Sequence, residues 1–172
     1  MRNDLIQTIF SRRSIRKYTK EPVPEDVIKT LLEAAMAAPS AHNWKPWHFV
    51  VITERETLDQ LANAHKYAKM LHEAPLCISV CGDESVSQHF WEQDCSAATQ
   101  NILLAATALG LGSVWCGVYP GEDRSRTLRV ISEILGIEGS FKPLNLIAIG
   151  YPAEEKEPRT QYDESRVHSE RW

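Results

Sequence analysis

Apolar residues recur at helical spacing over residues 3–11, where Leu5, Ile6, Ile9 and Phe10 fall on one face. The spacing returns over residues 24–38 with Val27, Ile28, Leu31, Leu32 and Ala35 as the stripe, and Glu25 and Asp26 stand where a helix favours negative charge. Pro39 disfavours helical geometry at Ala38 and sets the stop. Residues 47–52 read as a strand, 56–65 as a helix and 67–72 as a short helical piece. The apolar run 76–82, with its β-branched members, predicts a buried strand.

Residues 94–109 form the most apolar helical segment, rich in small residues (Ala97, Ala98, Ala105, Ala106, Ala108). A helix apolar on most sides belongs in a core or a subunit interface. Gly110 ends it, and a strand resumes over 113–116. An amphipathic helix over 122–135 closes at Gly136, and 144–149 reads as a last core strand. The charged tail 151–172 carries Tyr162, Val167 and Trp172, and aromatics in such a tail predict that it packs on protein. The alternation describes one αβ domain over residues 1–172, and periodicity leaves open whether its sheet is parallel.

A chain of 172 residues supports one sizeable core. The formal charge of −4 argues against non-specific nucleic-acid binding, so any anion must be held by a local cluster that opposes the overall sign. The apolar runs are too short for a membrane span, and residues 1–4 do not open like a signal peptide. Cys77, Cys81, Cys95 and Cys116 sit in apolar segments without zinc-site spacing. They are expected to be reduced, buried thiols of a cytoplasmic protein, with no metal site.

Four segments carry candidate chemistry. Residues 11–18 place four cations and two serines together: Ser11, Arg12, Arg13, Ser14, Arg16 and Lys17. Guanidinium forks match phosphate oxygens, and in extended backbone Arg12, Ser14 and Arg16 would face one ligand. A solvated basic patch at the end of the first helix is the alternative. Residues 38–47 join Pro39 and Pro46 around small residues, Ser40 and Ala41, that let a planar ligand approach the backbone; His42, Asn43 and Lys45 supply polar groups. Glycines 110, 112 and 117 bracket a short strand and imply tight turns with accessible amides. The last strand ends at Gly150-Tyr151-Pro152, and Arg159 follows in the tail.

The order and spacing of these segments resemble the nitroreductase family of FMN enzymes, and the likeness runs from Leu5 to Trp172. The resemblance implies an α+β fold, a three-layer αβα sandwich with a central mainly antiparallel sheet, in a homodimer. It implies that Arg12, Arg13, Ser14 and Arg16 hold the phosphate, ribityl chain and pyrimidine side of FMN. Pro39, Ser40 and Ala41 would pack against the flavin ring from the other subunit. Trp115, Cys116 and Gly117 would run past its N5 and O4 edge, and Arg159 would reach the phosphate. Lys69 is a further candidate for the pyrimidine edge. Lys45 and Gln161 depart from the commoner family pattern, which holds Gln or Glu and a second tail arginine there.

The implied activity is ping-pong electron transfer from NAD(P)H through FMN to an electron-poor acceptor such as a nitroaromatic or a quinone. The cofactor carries the chemistry, so no catalytic side chain is assigned. His42 is a candidate proton donor and Cys116 a tempting nucleophile in an apolar context. A flavin-storage or regulatory protein, a dehalogenating or flavin-fragmenting member of the family, and a flavin-free interaction module remain alternatives.

Overall fold

Two near-continuously apolar central strands organise the molecule. The computed structural model describes residues 4–119, 125–158 and 160–172. Four strands, β1 (Trp47–Ile52), β2 (Leu76–Asp83), β3 (Gly112–Gly117) and β4 (Phe141–Gly150), form one sheet in the order β1-β2-β4-β3. Every neighbouring pair is antiparallel. Strands β2 and β4 occupy the middle, where each residue meets protein on both faces, and β2 is buried along its whole length. That is why both read as near-continuous apolar runs.

Successive side chains of β2 enter different cores. Leu76, Ile78 and Val80 join Leu31 and Ala35 of α2 (Glu25–Met36) and Cys95, Ala98 and Ile102 of α4 (Trp91–Ala108). Cys77 packs on the other side with Leu58 and Leu61 of α3 (Arg55–Ala64) and Ile131 of α5 (Ser125–Leu135). The result is helices on both faces of an antiparallel sheet, the three layers implied above. In β4 the alternation breaks once. A register shift opposite Val80 and Cys81 leaves Leu144 as an extra residue, so Leu144 turns into the same core as Ile147 and Ile149.

The elements follow the periodic pattern closely. Helix α1 (Asp4–Ser11) buries no residue, and residues 67–72 settle as a 3-10 turn at Lys69–His72. The first residues of the expected 122–135 helix lie outside the described residues, as does Arg159. Helix α4 puts Trp91, Ala98, Ile102, Leu103 and Ala106 into its own chain's core. All four cysteines are buried and free of disulfides. Among the described residues there is no metal-binding cluster and no helix long and apolar enough to cross a membrane.

The first part of the tail stays on the body, where Pro152 bridges to Tyr18 and Ala153 N donates to Lys17 O at 2.9 Å. Residues 160–172 are all exposed, Trp172 completely so. Their structure is local: the Asp163 carboxylate accepts from Ser165 N at 3.1 Å and from Arg166 Nε at 3.0 Å, capping a turn at Glu164–Arg166.

Candidate functional site

The basic segment is held in extended form by backbone bonds on both sides. Ile15 N donates to Ser113 O at 3.1 Å, with Ser14 bridged in parallel to Ser113 at the start of β3. Further on, Thr19 N donates to Tyr151 O and Ala153 N to Lys17 O, each at 2.9 Å, just past the end of β4. Ile15 and Tyr18 point inward and are buried, which leaves Ser14 half-buried and Arg16 exposed on the outer side. Gly112 allows this close approach, since a Cβ there would lie 2.7 Å from Ile15 Cγ2.

The residues just past β4 grip the segment from outside. Arg16 N donates to Glu154 Oε1 at 2.5 Å, and Lys156 Nζ, 3.1 Å from the same oxygen, also donates to Ser14 O at 2.6 Å. The Arg16 amide, with help from Lys156, holds the Glu154 carboxyl below the usual carboxylate range. The Arg13 guanidinium donates to the Glu157 carbonyl, so one of its donors is engaged by the chain itself.

Beside this segment lies a cleft of about 370 Å³ lined by Arg16, Lys66, Tyr67, Lys69, Met70, Val114, Trp115 and Cys116. Three cations therefore meet one aromatic edge of a chain whose net charge is negative. Lys69 Nζ donates to Ala62 O at 3.0 Å, and Lys66 Nζ sits 5.3 Å from the Tyr67 ring centroid. Trp115 keeps 38% of its surface exposed although it lies in the middle of β3. The Cys116 thiol is 5% exposed, donates to Tyr67 O at 3.3 Å, and is pushed up to about 11 by burial, with Arg16 opposing the rise. A protonated, buried thiol is no nucleophile near neutral pH.

Of the residues expected from the sequence, Arg16, Trp115, Cys116 and Lys69 line the cleft, while Arg12, Arg13 and Ser14 continue the segment that borders it and Gly117 ends the strand. Pro39, Ser40 and Ala41 are not among its lining residues and sit on the loop after α2. That loop holds three non-glycine residues at positive φ: His42 (52°), Asn43 (59°) and Lys45 (52°). Such backbone costs on the order of 1 kcal/mol per residue and persists only where its surroundings fix it. The fixing bonds are visible. Lys45 N donates to Ser40 Oγ and Trp44 N to Ala41 O, both at 3.0 Å, and Ala41 N donates to Asp94 Oδ1 at 2.9 Å. His42 is exposed, with its ring centroid 4.5 Å from that of Trp44.

The family model of the nitroreductase family matches residues 9–67 and 60–151, which takes in the basic segment, the strained loop and both walls of the cleft. The chain belongs to the nitroreductase family. A relative from Methanothermobacter thermautotrophicus, provisionally named an NADH dehydrogenase/NAD(P)H nitroreductase, is 47% identical over 98% of this chain and 88% of its own length. An FMN-dependent nitroreductase from Clostridium difficile superposes with a TM-score of 0.91 at 31% identity, covering 97% of this chain and 99% of its own. A provisionally named nitroreductase from Desulfovibrio desulfuricans, solved in complex with FMN, gives a TM-score of 0.84 at 30% identity, covering 100% and 99%.

Within this family framework, four residues of the site carry no pattern that sequence reasoning could use. Lys66 and Tyr67 sit in a polar stretch between two helical pieces and look like ordinary surface. Asp94 resembles a first-turn acid that complements a helix, and its bond to Ala41 spans 53 positions of sequence. His65, at the end of α3, is buried with both ring nitrogens engaged.

Proposed function

We propose that the chain is an FMN-dependent oxidoreductase that takes electrons from NAD(P)H and passes them, in ping-pong fashion, to an electron-poor acceptor such as a nitroaromatic or a quinone. The observation that carries this reading is the cleft itself. Its donors are the cations Arg16, Lys66 and Lys69, and the rest of its lining is apolar, aromatic or a buried thiol: Met70, Val114, Tyr67, Trp115 and Cys116. That combination fits a flat, largely apolar ring system with a polar edge and an anionic tail, as FMN has. FMN when bound supplies the reversible two-electron chemistry, and the family resemblance together with relatives named for FMN supports that choice.

The chain's residues bind, orient and tune. Arg12, Arg13, Ser14 and Arg16, joined by Arg159, hold the phosphate, ribityl and pyrimidine groups. Arg16 and Lys69 place positive charge where a reduced ring gains negative charge. Trp115, Cys116 and Gly117 offer a rigid strand edge, and the thiol of Cys116 stays protonated as part of that wall. No side chain is required as a nucleophile.

The working unit in this reading is a homodimer in which Pro39, Ser40 and Ala41 complete the partner's site. Several features support it. The loop is pinned by its own hydrogen bonds but does not line its own chain's cleft. Ile6 and Ile9 of α1, Met36 and Leu109 are exposed apolar residues. The tail presents Tyr162, Val167 and Trp172 outward, and a second copy would cover all of these.

Anaerobic addition of NADH or NADPH to the FMN-loaded protein should bleach the flavin, and nitroaromatics or quinones should restore its colour. Persistent yellow would overturn the reductase reading in favour of flavin storage. Reoxidation by halogenated phenols alone would move the acceptor class to dehalogenation. The Arg12→Ala, Arg16→Ala double variant should lose FMN while keeping its circular dichroism; full flavin occupancy would refute the placement.

A further inference from the structure

His65 follows α3 immediately, and only 4% of its surface is exposed. Its two ring nitrogens engage two different walls of the cleft. Nε2 lies 2.9 Å from Gly117 O at the end of β3, and Tyr67 N donates to Nδ1 at 3.1 Å. A carbonyl can only accept and a backbone N–H can only donate, so one form of the ring satisfies both: the neutral imidazole with its proton on Nε2. From the same strand end, Cys116 Sγ donates to Tyr67 O. The Tyr67 backbone is thus clasped at its N–H by His65 and at its carbonyl by Cys116.

This arrangement differs from that of a histidine that merely fills space. Its partners are the backbones of the two segments between which the cleft opens, the Cys116–Gly117 strand end and the stretch carrying Lys66, Tyr67 and Lys69. Sequence separations of 52 and 2 make His65 a strut between a distant strand and its own loop. We propose that His65 is a positioning residue, which sets the distance between these walls and so tunes the FMN held between them. It touches no reacting atom. The inference rests on the FMN reading above.

The two bonds can be separated chemically. His65→Gln can place an amide N–H near the Nε2 position and keep the donation to Gly117 O. His65→Asn can place an oxygen near Nδ1 and keep the acceptance from Tyr67 N. His65→Ala keeps neither. The readouts are the reduction potential and visible circular dichroism of bound FMN, with its dissociation constant. In the alanine variant the dissociation constant should rise about tenfold, as expected for one or two lost hydrogen bonds, and the potential should shift. Rescue by Gln alone would assign the effect to Gly117, and rescue by Asn alone to Tyr67; either supports the strut.

Variants that fold and keep the wild-type potential, spectrum and affinity would overturn it. A wild-type protein that takes up no FMN would instead overturn the cofactor reading. Should the alanine variant fail to fold, ¹⁵N-imidazole spectra of the wild-type protein decide the matter. His65 should show the Nε2–H form with and without FMN, and its signals should move when FMN is added. Signals indifferent to FMN would remove the strut from the site.

Discussion

Asp94 shows how one buried side chain can hold a strained loop. Its Oδ1 accepts from Ala41 N, and its Oδ2 is buried with no hydrogen-bond partner among the described residues. The left-handed residues His42, Asn43 and Lys45 follow directly, so this bond anchors the strained stretch at its start. Asp94→Ala should lower stability by roughly 1–3 kcal/mol, the cost of removing the acceptor and stranding a part-buried N–H. Asp94→Asn keeps an acceptor and should recover most of that loss in chemical denaturation. An Asn variant as damaged as the Ala variant would show that charge near the α4 N-terminus matters instead. The acidic residue is plain in the sequence, but its partner is not, because a bond across 53 positions leaves no periodic trace. Arg16 was legible for the opposite reason: four cations within eight residues are visible without any fold.

At the scale of elements, the basic segment depends on the strand it borders. Gly112 of β3 faces Ile15, and an added Cβ would come within 2.8 Å of Ile15 Cβ as well as 2.7 Å of Cγ2. Neither partner is the flexible end of a side chain, so the segment itself must move. Gly112→Ala should destabilise the fold by about 1–3 kcal/mol. It should also weaken FMN retention, because Ser14 and Arg16 ride on the displaced backbone; unchanged retention would disconnect the strand from the site. Glu154 secures the same segment from outside. Its carboxyl is held below the usual range, so its contribution is present above the ordinary carboxylate pKa and lost as pH falls through the lowered value. The Arg16 amide should then lose hydrogen-exchange protection on acidification, and Glu154→Gln should weaken that protection already at neutral pH.

For the whole molecule, burial of the thiols sets an alkaline limit. Cys81 and Cys116 are pushed up to about 11 and Cys95 to about 12 from an ordinary 9.0, and Cys77 moves the same way. A folded pKa raised above the unfolded value contributes stability that is fully present below pH 9 and lost as pH rises toward the folded values. The thermal midpoint should therefore fall steadily above pH 9, and four alanines or serines at these positions should flatten the decline. In the proposed dimer a second copy covers the exposed tail. Removing residues 158–172 should convert the proposed dimer to monomer and release FMN, which sedimentation with flavin absorbance would follow; an FMN-loaded dimer after truncation would show that the tail is dispensable.

The order of helices and strands, the basic segment and the glycine-bracketed strand follow from the chain read locally. Helical and strand periods, capping acids and prolines act over a few residues, so they are written where they act. What the tertiary structure alone decided is non-local. The sheet order β1-β2-β4-β3 with every pair antiparallel, the bulge that turns Leu144 into the other core, and the pairing of Asp94 with Ala41 are examples. So is the joining of Gly117 to Tyr67 through His65. Strand pairing satisfies the same backbone groups in either direction, and a histidine or aspartate records no partner in its identity. Packing makes those choices only when the whole chain is assembled.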